Sequence, residues 1–199
     1  MAESHFLFSR SARVEDRIFT DYGKMAMVVE SCKQLGMRIV LTMGAFDLFH
    51  EGHARYLEAA RGHGDILIVG VDNDEKVKQK KGDRRPLVSE QERMEILCHC
   101  RHVDIVFLKK LGDPKWELVR TVQPDTLIAT QGTYKPEQTQ ELEEKYCRKV
   151  MVLPPQSATS TTARMRLLLM GTTEEIQARV EATFAELNRF FNELRRGHR

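Results

Sequence analysis

Two histidines, His50 and His53, frame Gly52 in the stretch Gly44-Ala45-Phe46-Asp47-Leu48-Phe49-His50-Glu51-Gly52-His53. Imidazoles held that close together can both donate to one anion. Upstream, Arg38-Ile39-Val40-Leu41 is β-branched and apolar and reads as a buried strand. Downstream, Ala54 to Arg61 carries helix formers and runs into Gly62 and Gly64, a natural stop. A strand therefore enters a glycine-containing turn, and a helix begins near Gly52. The first N–H groups of a helix lack intrahelical partners, and its end carries about half a positive charge, which suits phosphate. Gly44 and Gly52 let the backbone approach such a ligand closely. The chemistry expected is the binding of phosphoryl oxygens and the offsetting of charge that develops on them. No residue of the chain stands out as a covalent nucleophile.

The elements that must position this turn alternate along the chain. Residues 1–20 show no periodicity, whereas Asp21 to Gly36 reads as a helix with Met25, Met27, Val28, Val29, Cys32 and Leu35 as its apolar residues. Asp65 to Val71 is an apolar run suited to a parallel strand buried on both faces. A basic stretch from Lys76 to Arg85 follows at the C-terminal end of that strand, where open α/β sheets place ligands. On its own it reads as a solvated charged loop or as a phosphate contact. Ser89-Glu90-Gln91-Glu92 is a capping box, and Arg93 sits in the first turn of the helix it opens. A cation there works against the helix dipole, which is tolerable where it points at an anion; the competing account is a salt bridge with Glu90 or Glu92.

Val103–Phe107, Thr126–Ala129 and Lys149–Leu153 read as further strands, and Asp113-Pro114 opens a helix that continues to Val122. Ser157 to Thr162 caps a helix through Leu169. From Thr172 to Arg195 a long helix carries the stripe Val180, Phe184, Leu187, Phe191 and Leu194, which must be buried on its own domain or on a second subunit. The fold class expected is α/β, a doubly wound parallel sheet of Rossmann-like architecture. Residues 1–36 form an N-terminal lead-in with a helix, 37–171 the main domain, and 172–199 a C-terminal helix appended to that domain.

At 199 residues the chain has room for one sizeable core. With 41% hydrophobic and 30% charged residues its composition is ordinary, and a formal charge of +2 gives no case for a nucleic-acid or membrane surface. No apolar run approaches the roughly 18 residues needed to span a bilayer. Met1-Ala2-Glu3-Ser4-His5 has an early acid and no long apolar region after it, so no secretory signal is expected. Cysteines stand at 32, 98, 100 and 147; Cys98-His99-Cys100 lacks an answering pair at zinc-knuckle spacing and falls in a helix. Reduced packing cysteines and a cytoplasmic location are the expectation.

The histidine stretch matches the G-x-F-D-x-x-H-x-G-H signature of the cytidylyltransferase-like nucleotidyltransferases. A second signature of that family ends in S-T-T before a helix, and Thr159-Ser160-Thr161-Thr162 supplies it in the right order. The resemblance covers roughly residues 30 to 170. Lys81-Gly82, Arg85-Pro86, Glu92-Arg93-Met94 and Tyr134-Lys135-Pro136-Glu137 are most similar to the adenylyltransferase domain of ADP-heptose synthase. Where those enzymes have a Gly-Gly-Asp-Tyr-Lys-Pro-Glu-like sequence, this chain has Gln131 and Thr133 in place of the glycine and the acid.

The resemblance implies nucleotidyl transfer: a phosphate oxygen of a small phosphorylated acceptor attacks the α-phosphorus of a nucleoside triphosphate, and pyrophosphate leaves. It implies His50, His53, Lys81 and Arg93 as catalytic residues, with Gly44, Ala45, Phe46, Asp47, Gly52, Lys80, Gln131, Gly132, Thr159, Ser160, Thr161 and Thr162 holding the nucleotide. Mg²⁺ is the cofactor implied, with Asp47 as its candidate ligand or as a residue that orients a histidine. ATP and a sugar phosphate are favoured. The alternatives are a CTP enzyme acting on a phosphorylated alcohol or phosphonate, and a non-catalytic nucleotide-binding module. Pro155-Gln156-Ser157-Ala158 lacks the arginine that glycerol-3-phosphate cytidylyltransferases carry there. A homodimer is expected, with the 172–195 helix in the interface or bracing it.

Overall fold

Odd and even positions along the strands face opposite layers, so one parallel sheet is covered on both sides. The structure, a computed structural model, describes residues 13–156 and then 176, 177, 179–181, 183 and 184. The elements are β1 (Ile18–Phe19), α1 (Tyr22–Gln34), β2 (Ile39–Gly44), α2 (Glu51–Arg61), β3 (Ile66–Asp72) and α3 (Asp74–Lys81). They continue with α4 (Glu90–His99), β4 (Ile105–Lys109), α5 (Glu117–Val122), β5 (Thr126–Thr130), α6 (Pro136–Lys145) and β6 (Lys149–Leu153). The six strands lie in the order β1-β4-β3-β2-β5-β6, and every pair is parallel. The expected α/β class and Rossmann-like parallel sheet are what the chain adopts.

Ile39, Leu41, Ile66, Ile68, Ile105, Phe107 and Leu127 meet α1, α5 and α6 through Met25, Val29, Leu118, Val122 and Leu142. On the other face Val40, Leu67, Val69, Val106 and Ile128 meet α2 and α4 through Tyr56, Leu57, Ala60, Met94 and Leu97. From β2 the chain steps out to β3 and β4, then crosses back to lay β5 against the other side of β2. Strand order reverses there, and ligands of open sheets bind outside the carboxyl ends at such a point.

The sequence reading missed some local structure. The basic stretch begins as a helix, α3, capped by the Asn73 side chain on the Lys76 amide. The helix expected from Asp113-Pro114 starts only at Glu117, because Trp116 before it is left-handed at φ 62°. The two-residue β1 and helix α6 were not anticipated. The chain divides into two compact units, Met1–Ala158 and Thr159–Arg199. In the second unit the described residues are helical, with Ile176, Val180 and Phe184 exposed; Leu187, Phe191, Leu194 and the Thr159–Thr162 motif lie outside the described residues.

Arg93 departs furthest from expectation. Its side chain is 1% exposed and spends its donors on protein: Nε on Val88 O (3.0 Å), Nη1 on Ala45 O, and Nη2 on Asp72 O (2.9 Å) and Asp74 Oδ1 (2.8 Å). The expected role on the triphosphate is corrected on that ground, and so is the alternative of a bridge to Glu90 or Glu92. Glu90 instead accepts the Asp74 amide at 2.8 Å. Arg93 ties together the turn after β2, the end of β3 and the segment before α4. Arg93→Ala should therefore cost about 3–5 kcal/mol in denaturant unfolding, as breaking a buried ion pair does. Arg93→Lys should recover little of it, because an ammonium cannot reproduce the forked donors.

Candidate active site

The turn between β2 and α2 is tightly wound, with Phe46 at φ 52° and Leu48 at φ 49°, a region that L side chains seldom adopt. Phe46 is buried and sets its ring edge against His53, centroids 5.6 Å apart. A Cβ at Gly44 would lie 3.2 Å from the Phe46 ring, which would have to give by a few tenths of an ångström. Asp47 is 4% exposed and bridges from the turn to the basic loop, taking Arg85 Nη1 on Oδ2 and the amides of Leu87 and Val88 on Oδ1.

His50 caps α2: its Nδ1 accepts the Gly52 amide at 3.1 Å. The proton of a neutral His50 therefore sits on Nε2, which can donate away from the helix. His53 stacks on His50 with ring centroids 4.0 Å apart. Burial, the His50 charge and then Lys81 push the His53 pKa down to about 4, so it is neutral near pH 7. Its Nδ1 is buried without a hydrogen-bond partner. The sequence expectation of two adjacent imidazoles at a helix N-terminus is met in geometry.

Gly44 and Ala45, at the start of the same turn, open into a cavity of about 500 Å³. Its walls carry Lys76, Lys80 and Lys81 of α3, Lys109 at the end of β4, and Lys115. Asp72, Asp113 and Glu117 are its acids, and Tyr22, Trp116 and Tyr134 its aromatic residues. Asp72 takes Lys109 Nζ on Oδ1 at 2.9 Å and Lys80 Nζ on Oδ2 at 2.8 Å. Burial pushes its carboxyl up, but the two lysines outweigh that and hold it below its usual range. Desolvation, followed by Arg85, holds the Lys81 ammonium below its ordinary value. Tyr22 donates to Asp113 Oδ2 at 2.6 Å, and Lys115 Nζ lies 3.8 Å from the Trp116 ring centroid.

Lys80 and Lys81 thus reach the same cavity as Gly44 and Ala45, while Gln131 and Gly132 form an exposed turn after β5 with Gly132 at φ 78°. Lys109, Tyr22 and Asp113 were missed. Lys109 looked like one more charge at a strand end, and Tyr22 and Asp113 meet only through the fold. Asp47 does not fit the metal role: an arginine and two amides already engage its oxygens. Among the described residues no group of three or more His, Cys, Asp or Glu side chains is arranged to hold a metal ion. Cys98 packs in the core on the α2/α4 face, where burial raises its thiol to about 11. Among the described residues no helix is long and apolar enough to cross a membrane.

Comparison with known proteins bears on the family and the fold. The sequence profile of the cytidylyltransferase-like family matches residues 41–185. The bifunctional protein HldE of Desulfatibacillum aliphaticivorans is 38% identical over 141 residues, covering 70% of this chain and 28% of that protein. HldE of Pelobacter propionicus is 39% identical over 140 residues, with coverage of 69% and 28%. The chain spans a little over a quarter of the length of these relatives. The lipopolysaccharide core biosynthesis protein of Thermoplasma volcanium superposes with a TM-score of 0.53 at 25% identity, over 63% of this chain and all of that one. The pantoate-β-alanine ligase of Francisella tularensis shares the fold at 16% identity and a TM-score of 0.53, covering 69% of this chain and 66% of its own. The chain belongs to the cytidylyltransferase-like family of nucleotidyltransferases.

Proposed function

We propose that the chain transfers a nucleoside monophosphate, from ATP by preference, to a small phosphorylated acceptor such as a sugar phosphate, with release of pyrophosphate. The observation that carries this is the stacked His50–His53 pair at the N-terminus of α2, beside a turn that opens into a lysine-lined cavity. The match to HldE proteins supports the adenylyl and sugar-phosphate preference. An acceptor phosphate oxygen attacks the α-phosphorus in line, and the leaving pyrophosphate takes the bond's electron pair. His50 Nε2 and the N–H of neutral His53 donate to the oxygens on which charge grows, with the helix end behind them. Lys81 and Lys80 offset phosphate charge from the α3 side. The expected Mg²⁺ needs no protein cage, since this ion is commonly held by substrate phosphates and water.

The direct test is a matrix of nucleoside triphosphates against phosphorylated acceptors, read by pyrophosphate release. Turnover with ATP and a sugar phosphate supports the reading; turnover confined to CTP overturns the nucleotide preference. No release with any pair overturns the transferase reading.

His50→Ala or His53→Ala should lower kcat by about a hundredfold or more with folding retained, as loss of one preorganised donor does elsewhere. Near-normal kcat at saturating substrates removes that histidine from the role. The His53 pKa also fixes a sign. Depressed from about 6.5 to about 4, it contributes stability above pH 6.5 that is lost as pH falls towards 4. The parent should lose stability over that window more steeply than His53→Gln, as urea midpoints will show; parallel pH profiles reject the assignment.

We also propose a homodimer that uses the helix bearing Val180 and Phe184, both exposed in the single chain. Phe184→Glu should give a folded monomer in sedimentation. A parent that sediments as a monomer at micromolar concentration ends that proposal.

A further inference from the structure

Two ammonium groups crowd one carboxylate on the cavity wall, and a third, that of Lys76, lines the same wall. Lys109 and Lys80 occupy the two oxygens of Asp72. Lys76 Nζ donates to the Lys110 carbonyl at 3.2 Å, a neutral partner, and its charge is felt at Lys109. The other acids of the cavity do not answer this surplus. Asp113 takes the Tyr22 hydroxyl and the Lys110 amide, and Glu117 lies 3.5 Å from Arg120. Like charges gathered against a partly desolvated wall are costly unless an anion meets them.

Distance adds a second argument. Gly44 ends β2 and Lys109 ends β4, two strands away across β3, where Lys109 pairs in register with Asp72. Two strand spacings are about 10 Å, enough for a sugar ring between an attacking phosphate at Gly44 and a second group at Lys109. Gly70 makes room for this lysine: a Cβ there would lie 2.9 Å from Lys109 Cδ and 2.6 Å from Leu118 Cδ2. Thr133, where the resembled enzymes have an acid, lines the same cavity and adds no negative charge.

We propose that the acceptor carries a second anionic group remote from its attacking phosphate, received by Lys109 and Lys76, so that Lys109 determines acceptor specificity. This rests on the transferase reading above. The attacking phosphate lies by the histidine turn, the ring lies along the cavity, and the distal carboxylate or phosphate meets the two ammonium groups.

The test is calorimetric binding of glucose 1-phosphate, glucuronic acid 1-phosphate and glucose 1,6-bisphosphate to the full chain without nucleotide, followed by pyrophosphate release with each. The two compounds with a second anion should bind about tenfold or more tightly than glucose 1-phosphate. Lys109→Met should erase that preference while glucose 1-phosphate affinity stays within about twofold, and Lys109→Arg should keep it. Lys76→Met, read in parallel, should weaken the preference and keeps the test intact should Lys109→Met not fold. Equal binding of all three, binding of none, or a preference that survives both methionine variants overturns the proposal. A variant that loses ATP affinity instead of acceptor preference assigns the cluster to the triphosphate and also overturns it. Absence of pyrophosphate release alongside an intact anion preference removes the transferase reading and leaves the anion subsite standing.

Discussion

The buried guanidinium of Arg93 is the constraint on which the site depends. Taking a full charge out of water is costly, and the cost is met only where its donors find acceptors. Here the acceptors are Val88 O, Ala45 O, Asp72 O and the Asp74 carboxylate, on three separate stretches of chain. No one of these stretches can move without stranding a donor. Asp47 makes a second tie from the same turn, to Arg85 and the amides of Leu87 and Val88. Two crossed ties explain how a turn with Phe46 and Leu48 at positive φ persists, since such backbone survives only where its surroundings over-determine it.

The rigidity of the turn passes to the histidines. His50 is fixed by the helix amide it accepts, and His53 by the ring stacked on it and by Phe46 and Phe49 on its other sides. In the proposed transfer, imidazoles placed before a ligand arrives would remove reorganisation from the reaction itself. The unpartnered Nδ1 of His53 runs the other way: a buried polar atom without a partner costs about 1–3 kcal/mol. A chain selected for stability alone has no reason to carry it.

The parts legible in the sequence were those with local signatures. An apolar run bounded by glycine announced β2 and β3, and helix formers ahead of Gly62 announced α2. Two histidines around Gly52 announced the stacked imidazole pair at the N-terminus of α2. Helix α3 was not legible because its residues are almost all charged, so it has no apolar stripe; only Val77 of it is buried. Arg93 misled for the opposite reason. At a helix start a cation looks solvated, and only the packing of α4 on β3 and β4 shows that it points inward. Lys109 and the Tyr22–Asp113 contact depend on segments far apart in the chain, which no spacing rule connects.

The two halves of the site sit on different faces of the sheet. Helix α2, which carries the histidines, packs on the face of Val40, Leu67 and Val69, whereas the cavity wall at Leu118 belongs to the face of Ile68 and Phe107. The turn at Gly44 and Ala45 touches both, and Ile128 of the α2 face also lines the cavity. The coupling that matters within the cavity is between Gly70 and Lys109. Any larger residue at 70 would meet Leu118 and the lysine stem below 3.0 Å, so one of them would have to shift. In the proposed transfer the acceptor end rests on a lysine and the glycine beneath it, while Arg93 and Asp47 hold the histidine turn.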